Sequence, residues 1–221
     1  MSLFRRRRDR GPRVILGLLA AVAAVSAAQG SEPRIYRYDV EHPTYGRIGS
    51  YTNIIQGTDR DAQVRSELHV AVKILGVTVY REDATRIEQW RGSRMAFFDG
   101  LTVTNNNAIH VSGEARDGHF AITSPAGTIL APADVKPSNP WSMAMLHDGA
   151  IMSTKTGRVF DAHVLTDQPV AASADGFGPD VRRYDVVSNK REVVWFNTHG
   201  VAVAFDTVAD GARIRFVLRP N

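Results

Sequence analysis

Apolar and polar residues alternate along much of the chain, and the alternation is clearest over residues 64–74. Five of the six even positions there are apolar, and four of the five odd positions are polar. A period of two residues is typical of a strand with one buried face and one solvated face, whereas the helical period would place Glu67 on the apolar stripe. Residues 213–219 repeat the alternation near the C-terminus. The pattern therefore predicts an antiparallel β-sheet.

Short turn signals separate the other predicted strands. These strands are 34–41, 47–56, 77–90, 94–99, 101–105, 108–112, 119–123, 127–131, 158–166, 182–187, 192–197 and 201–207. Asp117-Gly118 and Asp210-Gly211 suit two-residue hairpins, because glycine accepts the positive φ that such turns require. Short connections make consecutive strands pair as a meander. We predict a mainly β fold, a large curved antiparallel sheet or half-barrel of about ten strands, with one short helix on its concave side.

The predicted helix is the segment SNPWSMAMLHDG, residues 138–149. Asn139 suits the N-cap and Pro140 the first helical position, and Trp141 and Met145 then share one face by their i, i+4 spacing. A curved sheet of about ten strands encloses more space than its own side chains easily fill, so we place this helix inside the curve. Residues 167–179 are predicted to form a long surface loop.

The first 28 residues differ from the rest of the chain. Six arginines between positions 5 and 13 precede the uncharged run VILGLLAAVAAVSAA, residues 14–28, which ends in small side chains. This order is typical of a secretory signal peptide, and the run is shorter than the roughly 20 apolar residues of a membrane span. We predict that residues 1–28 are a cleaved signal peptide and that residues 29–221 form a single β domain. The protein is then periplasmic or secreted, with no membrane span after cleavage.

Charge narrows the class of partner. The chain has 27 Lys+Arg and 23 Asp+Glu, a formal net charge of +4. The leader holds six of these bases and one acid, so the remainder has 27−6 = 21 bases and 23−1 = 22 acids, or about −1. Nucleic-acid binding normally needs a basic face, so we exclude nucleic acid as a partner. The chain has no cysteine, so its stability depends on an apolar core.

Catalytic and cofactor motifs are absent from the sequence. No glycine-rich phosphate loop, dinucleotide fingerprint or nucleophile elbow occurs. The closest histidines, His110 and His119, are nine residues apart, which is no metal-ligand spacing. Asp161 and His163 would project from one strand face, where a solvated polar surface explains them and a hydrolase is the alternative. We predict no enzyme activity, no cofactor and no metal.

Large aromatic and methionine side chains are the candidates for ligand binding, because they adapt to irregular apolar molecules. Tyr80 and Trp90 share the parity of Glu88. The candidate residues are Trp90, Trp141, Met145, Trp195 and Tyr80. They suggest a periplasmic, non-enzymatic carrier or scaffold whose partner is a lipid or another apolar small molecule. The alternative is a structural or interaction protein of the cell envelope, with a core filled by its own side chains and an envelope protein as partner.

A family resemblance runs through YRYDV, GRIGS, VAVKILGVTVYRED, IEQWRGSRM, APADVKPSNPWSMAML and KTGRV. These segments resemble an uncharacterised family of exported bacterial proteins, catalogued as domain of unknown function number six-one-three-four, over residues 34–220. Gly49, Glu88, Trp90, Trp141 and Gly157 lie at its centre, and the family implies no catalytic residues. The layout is also similar to the LolA/LolB-like half-barrels, which implies an antiparallel sheet wrapped around a short helix over an apolar cavity.

Overall fold

The structure is a computed structural model that describes residues 32–146, 148–169 and 176–220. The described residues form fifteen strands and one single-turn 3₁₀ helix, Met143–Met145. The strands are β1 Arg34–His42, β2 Gly46–Gly57, β3 Ala62–Ile74, β4 Val77–Arg91, β5 Arg94–Thr104, β6 Asn107–Arg116, β7 His119–Ser124, β8 Gly127–Pro132, β9 Lys136–Pro137, β10 Gly149–Met152, β11 Val159–Pro169, β12 Val181–Val187, β13 Arg191–Asn197, β14 Ala202–Ala209 and β15 Ala212–Leu218.

The described strands belong to one sheet, in the order β8-β7-β6-β5-β4-β3-β2-β1-β15-β14-β13-β12-β11-β10-β9. The first and last strands pair in its interior, with Tyr38 opposite Leu218. The pairs are antiparallel except for β9 and β10, where Ile151 lies opposite Lys136 in a parallel pair. The prediction of a mainly β, largely antiparallel sheet is confirmed, and the sheet is mixed because of that one pair.

The connection between the two edge strands forces the sheet to curl. A flat sheet of fifteen strands would place β8 and β9 about 65 Å apart, at roughly 4.8 Å per strand. Residues 133–135 alone join them, and such a link spans at most about 15 Å. The edges therefore approach each other, and the Val135 N–H donates to the Pro132 carbonyl at 3.1 Å. The two strands do not pair among the described residues, so the sheet is barrel-like without being closed.

Two predictions about the elements were wrong. The strand number is fifteen, not about ten. The predicted strands 94–99 and 101–105 form the single strand β5, and the short strands β9 and β10 were not predicted. The ten-residue helix over 138–149 is absent from the described residues, where only the turn Met143–Met145 is helical. Asn139 does not act as a helix N-cap, because its side chain bonds to Glu88 of β4, and the Ser138 N–H pairs with the Met152 carbonyl instead.

Other predictions fall partly or wholly outside the described residues. Strand β11 continues through Pro169, so the predicted loop over 167–179 begins later than expected. Residues 170–175 of that loop and the predicted signal peptide, residues 1–28, lie outside the described residues. None of the helical residues that the structure describes forms a segment with the length and apolar character of a membrane span.

Two of the four apolar clusters of the described residues define the interior around the site. One cluster is tightly packed and includes Trp90, Phe98 and Phe120 of the sheet with Trp141 and Met145 of the segment that follows β9. This crossing segment, residues 138–146, runs across the inside of the curled sheet and replaces the predicted helix there. The other cluster includes Tyr38, Val40, Tyr51, Leu68, Val70 and Phe216. The crossing segment covers only the first cluster closely, so the interior is filled at one end.

Candidate functional site

A cavity of about 650 Å³ lies in the other half of the interior. Its walls are mainly aliphatic and aromatic side chains of the second cluster, with Met145 and Leu146 of the crossing segment on one side. Phe205 and Phe216 stack with their ring centroids 4.3 Å apart and form part of the wall. The lining includes half-exposed side chains at the strand ends, Tyr45, Val79 and Val208, which mark the open end of the cavity.

Strand β4 carries a line of polar side chains into this apolar interior. Its even-numbered residues from Tyr80 to Trp90 point inward, because alternate residues of a strand face the same side. Tyr80, Glu82 and Arg86 line the cavity, while Glu88 and Trp90 continue the line into the packed half. The sequence prediction that Tyr80, Glu88 and Trp90 share a face holds, since β4 is continuous from Val77 to Arg91.

Glu82 forms a polar cluster near the open end. Its Oε2 atom accepts hydrogen bonds from the Tyr80 hydroxyl at 2.6 Å, the Thr104 hydroxyl at 3.0 Å and the Lys155 ammonium at 2.6 Å. Burial opposes ionisation of Glu82, but the bonds from Lys155 and Tyr80 outweigh it and hold the pKa of this carboxyl below its ordinary value. Burial and the adjacent Glu82 carboxylate raise the pKa of Tyr80. The cluster is internally satisfied.

Glu88 forms the floor between the cavity and the packed half, and it is fully buried. The indole N–H groups of Trp90 and Trp141 each donate to its Oε2 atom at 2.9 Å, and the Asn139 amide donates to its Oε1 atom at 2.9 Å. Burial raises the pKa of Glu88, although these three donors and the nearby charge of Arg86 act in the opposite direction.

The floor extends through a network of buried polar side chains. Asn139 accepts from the Tyr51 hydroxyl at 2.7 Å, and its amide nitrogen also donates to the Ser66 hydroxyl at 3.0 Å. Ser66 in turn donates to Asn53 at 2.7 Å. Burial raises the pKa of Tyr51 to about 12, so its hydroxyl keeps its proton and acts as a donor. The network fixes the crossing segment to β2, β3 and β4.

Arg86 stands out among the side chains that line the cavity. It is only 7% exposed, and no hydrogen bond or ion pair is formed by its guanidinium within the described residues. Its Nε atom is fully buried without an acceptor there. Its neighbours on the adjacent strands are Ser66 and Gly100. A Cβ atom at Gly100 would lie 3.0 Å from the Phe98 ring and 3.5 Å from Cγ of Arg86, so glycine lets these two side chains pack closely there.

The five predicted binding residues separate into three groups. Tyr80 and Met145 line the cavity. Trp90 and Trp141 lie below it, where their rings meet edge to face with centroids 5.7 Å apart. Trp195 lies on the opposite face of β13 from the cavity-lining Val194.

The placement of Trp195 corrects the expectation that it forms part of the wall. Its ring packs on the outer side of the sheet against Phe177, with the Arg215 guanidinium 4.9 Å from the ring centroid. The run Val193-Val194-Trp195-Phe196 is apolar at successive positions because both faces of this strand are covered, so parity could not be read from it.

The polar residues suggested for hydrolysis do not converge. Asp161 and His163 are exposed on β11, on either side of the inward Ala162. In the described ranges no group of three or more histidine, aspartate or glutamate residues is arranged to hold a metal ion. The polar side chains of the cavity wall, Glu82 and Arg86, were not among the predicted site residues. The available signal was a charged residue at the buried parity of a long strand.

Comparison with known proteins agrees with this architecture. The crystal structure of a "beta-barrel-like protein of domain of unknown function DUF1849" from Brucella abortus is similar, with a TM-score of 0.61 and 11% sequence identity. The similarity covers 85% of this chain and 96% of that one, and at this identity it concerns the fold alone. No curated protein matches the sequence. The model of the family DUF6134, a domain of unknown function, matches residues 38–219. The resemblance noted in the sequence is thereby confirmed, and the chain belongs to the DUF6134 family.

Proposed function

We propose that the protein is an exported, non-enzymatic carrier or scaffold whose interior cavity binds a lipid or another molecule with an apolar chain. The observation that supports this function is the cavity of about 650 Å³, enclosed by the curled sheet and lined mainly by apolar side chains. Its volume falls in the range of small-molecule sites, roughly 300–1,000 Å³. Export rests on the sequence prediction of a signal peptide over residues 1–28.

The size and lining of the cavity favour a ligand over an empty interior. Protein interiors are close-packed, and voids larger than a water molecule are few. Val70, Leu68 and Phe216 offer no hydrogen bonds from their side chains to water, so water would be held poorly along this wall. Each methylene group transferred from water to such a wall contributes about 0.8 kcal/mol. An acyl chain therefore gains binding free energy in proportion to the length that the cavity accepts.

The proposal is tested by extracting the purified protein with organic solvent and identifying bound molecules by mass spectrometry. Val70→Trp places a large ring in the cavity, whereas Gln63→Trp places the same ring on the solvated face of the same strand. We expect a stoichiometric apolar ligand with the natural protein and with Gln63→Trp, and a several-fold loss with Val70→Trp. Absence of any ligand, together with no binding of a neutral apolar dye such as N-phenyl-1-naphthylamine, would refute the carrier function.

A second candidate is an interaction protein of the cell envelope, and the β3–β4 hairpin favours it. Leu75 at the tip is 99% exposed, and Ile74, Val77 and Val79 beside it are also exposed. Exposed apolar groups that cluster in this way are typical of binding surfaces. The hairpin would contact an envelope protein as partner.

The second candidate is tested with a photo-crosslinking amino acid at Leu75 in living cells. The matched control is Asp117, which occupies the equivalent first position of a two-residue turn with φ 48°, against φ 49° at Leu75. A discrete adduct from position 75 alone would support a partner protein. Equal, diffuse adducts from both positions would count against it.

A further inference from the structure

We propose that Arg86 is the anchor for an anionic head group, so that the cavity takes an alkyl carboxylate of the fatty-acid class. This inference rests on the proposed function and specifies its ligand. Arg86 belongs to the inward line of β4 and borders the cavity.

The state of the Arg86 side chain is the first argument. An arginine that is 7% exposed ordinarily pairs its charge with a carboxylate or with several acceptors, because a buried unpaired charge is costly. Across the described residues the Arg86 guanidinium forms no hydrogen bond, and its Nε atom is fully buried. The group is therefore built into the wall with its donors unused.

The nearest carboxylates do not fill this role. Glu88 lies two residues along the same face, but its oxygens already accept from Trp90, Trp141 and Asn139. Glu82 lies four residues in the other direction, and its Oε2 atom accepts from three other donors, including Lys155. Glu88 and Arg86 interact electrostatically through space, and neither carboxyl group forms a hydrogen bond with the guanidinium.

The surroundings of Arg86 define the ligand. A guanidinium presents five N–H donors in a planar fork that matches a carboxylate in a bidentate arrangement. Arg86 lines the cavity, so this fork is within reach of a molecule that binds there. The rest of the wall is mainly apolar, with Leu68, Val70 and Phe216 among its residues. The lysines that also line it, Lys155 and Lys190, are paired with Glu82 and Glu192. A single anionic group attached to an alkyl chain satisfies both parts of this cavity, whereas a neutral lipid leaves the guanidinium unpaired.

Competition against the neutral dye N-phenyl-1-naphthylamine tests the inference on the natural protein, at about pH 8 where an alkyl carboxylate is ionised. The ligands are dodecanoate, 1-dodecanol and dodecyl phosphate, which share one chain length. We expect dodecanoate to bind at least about tenfold more tightly than 1-dodecanol, the size of effect typical of a hydrogen bond to a charged group. Equal affinity of acid and alcohol would overturn the inference and leave the carrier function intact. Tighter binding of the phosphate would overturn the assignment to a carboxylate.

Two variants of Arg86 distinguish the effect of the guanidinium on ligand affinity from the effect of a general change in packing. Arg86→Met should lower the affinity for dodecanoate by about tenfold or more and leave that for 1-dodecanol within about twofold. Arg86→Lys keeps the charge without the fork and should give an intermediate affinity for dodecanoate. Arg81→Met is the matched control, because Arg81 lies on the outer face of the same strand with its side chain 69% exposed.

An equal loss of affinity for acid and alcohol in Arg86→Met would contradict the role of Arg86 as the anchor. The comparison of ligands on the natural protein still tests the inference if that variant fails to fold. If neither acid nor alcohol displaces the dye, the proposed carrier function itself fails.

Discussion

Trp141 donates its indole N–H to Glu88, a residue 53 positions earlier in the chain, across 2.9 Å. This bond joins the segment that crosses the interior to the strand that supplies the polar line of the cavity. Trp90 donates to the same oxygen from within β4. The three residues lie at the centre of the sequence resemblance to the family, and the structure brings them together as the floor of the cavity. Glu88 is therefore an organising residue of the interior.

Glu88→Leu should strongly destabilise the fold. The substitution leaves the indole N–H groups of Trp90 and Trp141 and the amide of Asn139 without their acceptor in a buried site. We expect the free energy of unfolding to fall by about 3–5 kcal/mol, the range seen when one partner of a buried charged network is removed. Urea denaturation measures it. Glu114→Leu, on an exposed part of β6, is the control and should change stability by less than about 0.5 kcal/mol.

Glu88→Gln should change the pH dependence of stability. Burial raises the pKa of Glu88 in the folded protein above the ordinary value of 4.5. Above this value the unfolded chain loses the proton while the folded protein retains it, so the free energy of unfolding falls as pH rises, by at most about 1.4 kcal/mol per pH unit. The stability is fully present below the unfolded pKa and is lost as pH rises through the folded pKa.

Glutamine cannot ionise, so the variant should lack this contribution. The natural protein should therefore lose stability relative to the variant as the pH rises from about 4.5 towards 8. Urea denaturation over this pH range measures the difference. Parallel pH profiles of the two proteins would show that Glu88 titrates alike in the folded and unfolded states, contrary to the prediction.

The sequence predicts the sheet well and the crossing segment poorly, for one physical reason. Alternation over residues 64–74 reflects a local constraint, since each strand must present one face to the interior. The conformation around Asn139 and Trp141 depends instead on bonds to Glu88, which is distant in sequence. Asn139 and Trp141 match a helix start by local preference, but their bonds to Glu88 hold the backbone outside the helical conformation. Local propensity is overridden where a buried polar group needs partners.

The difference between local and distant constraints also explains why only some of the residues that line the cavity could be predicted from the sequence. Tyr80 could be predicted to face inward because parity along β4 is unbroken. Trp195 could not, because both neighbours in its strand are apolar and the outer face there is covered by Phe177. Arg86 was overlooked because an arginine usually marks a solvated position, and only its parity with Glu88 and Trp90 contradicts that assumption.

Lys155→Met should raise the pKa of Glu82. The Lys155 ammonium donates to Glu82 at 2.6 Å and is the largest factor that lowers the pKa of this carboxyl against its burial. Without it, burial should move the pKa of Glu82 to or above its ordinary value of 4.5. Carbon-detected NMR titration of the Glu82 carboxyl in both proteins measures the change. Lys190→Met, a lysine that pairs with Glu192, is the control and should leave the Glu82 pKa unchanged.

Trp195→Ala should lower stability without affecting the cavity. The Trp195 ring is 2% exposed and packs on the outer face of β13, so its removal should cost about 3–5 kcal/mol in the free energy of unfolding. Since the ring is on the opposite side of the sheet from the cavity, dye affinity under native conditions should stay within about twofold. Met145→Ala is the matched comparison, because Met145 lines the cavity and its truncation should alter dye affinity. A loss of dye affinity in Trp195→Ala equal to that in Met145→Ala would show that the Trp195 ring affects the cavity, contrary to the prediction.

Gly49→Ala should disrupt the packing of β2 against β3. A Cβ atom at Gly49 would lie 2.0 Å from the His69 carbonyl oxygen and 2.9 Å from the Cα atom of Val70, both of which are backbone atoms that cannot turn aside. Because the clash lies within the pair of strands that supplies Leu68 and Val70 to the cavity wall, we expect loss of stability of about 2 kcal/mol or more together with weaker dye binding. Gly178→Ala is the control, since a Cβ atom there would meet nothing within 4 Å. Thermal unfolding of both variants, followed by circular dichroism, measures the difference, and equal stability of the two would show that β2 and β3 separate more easily than their register implies.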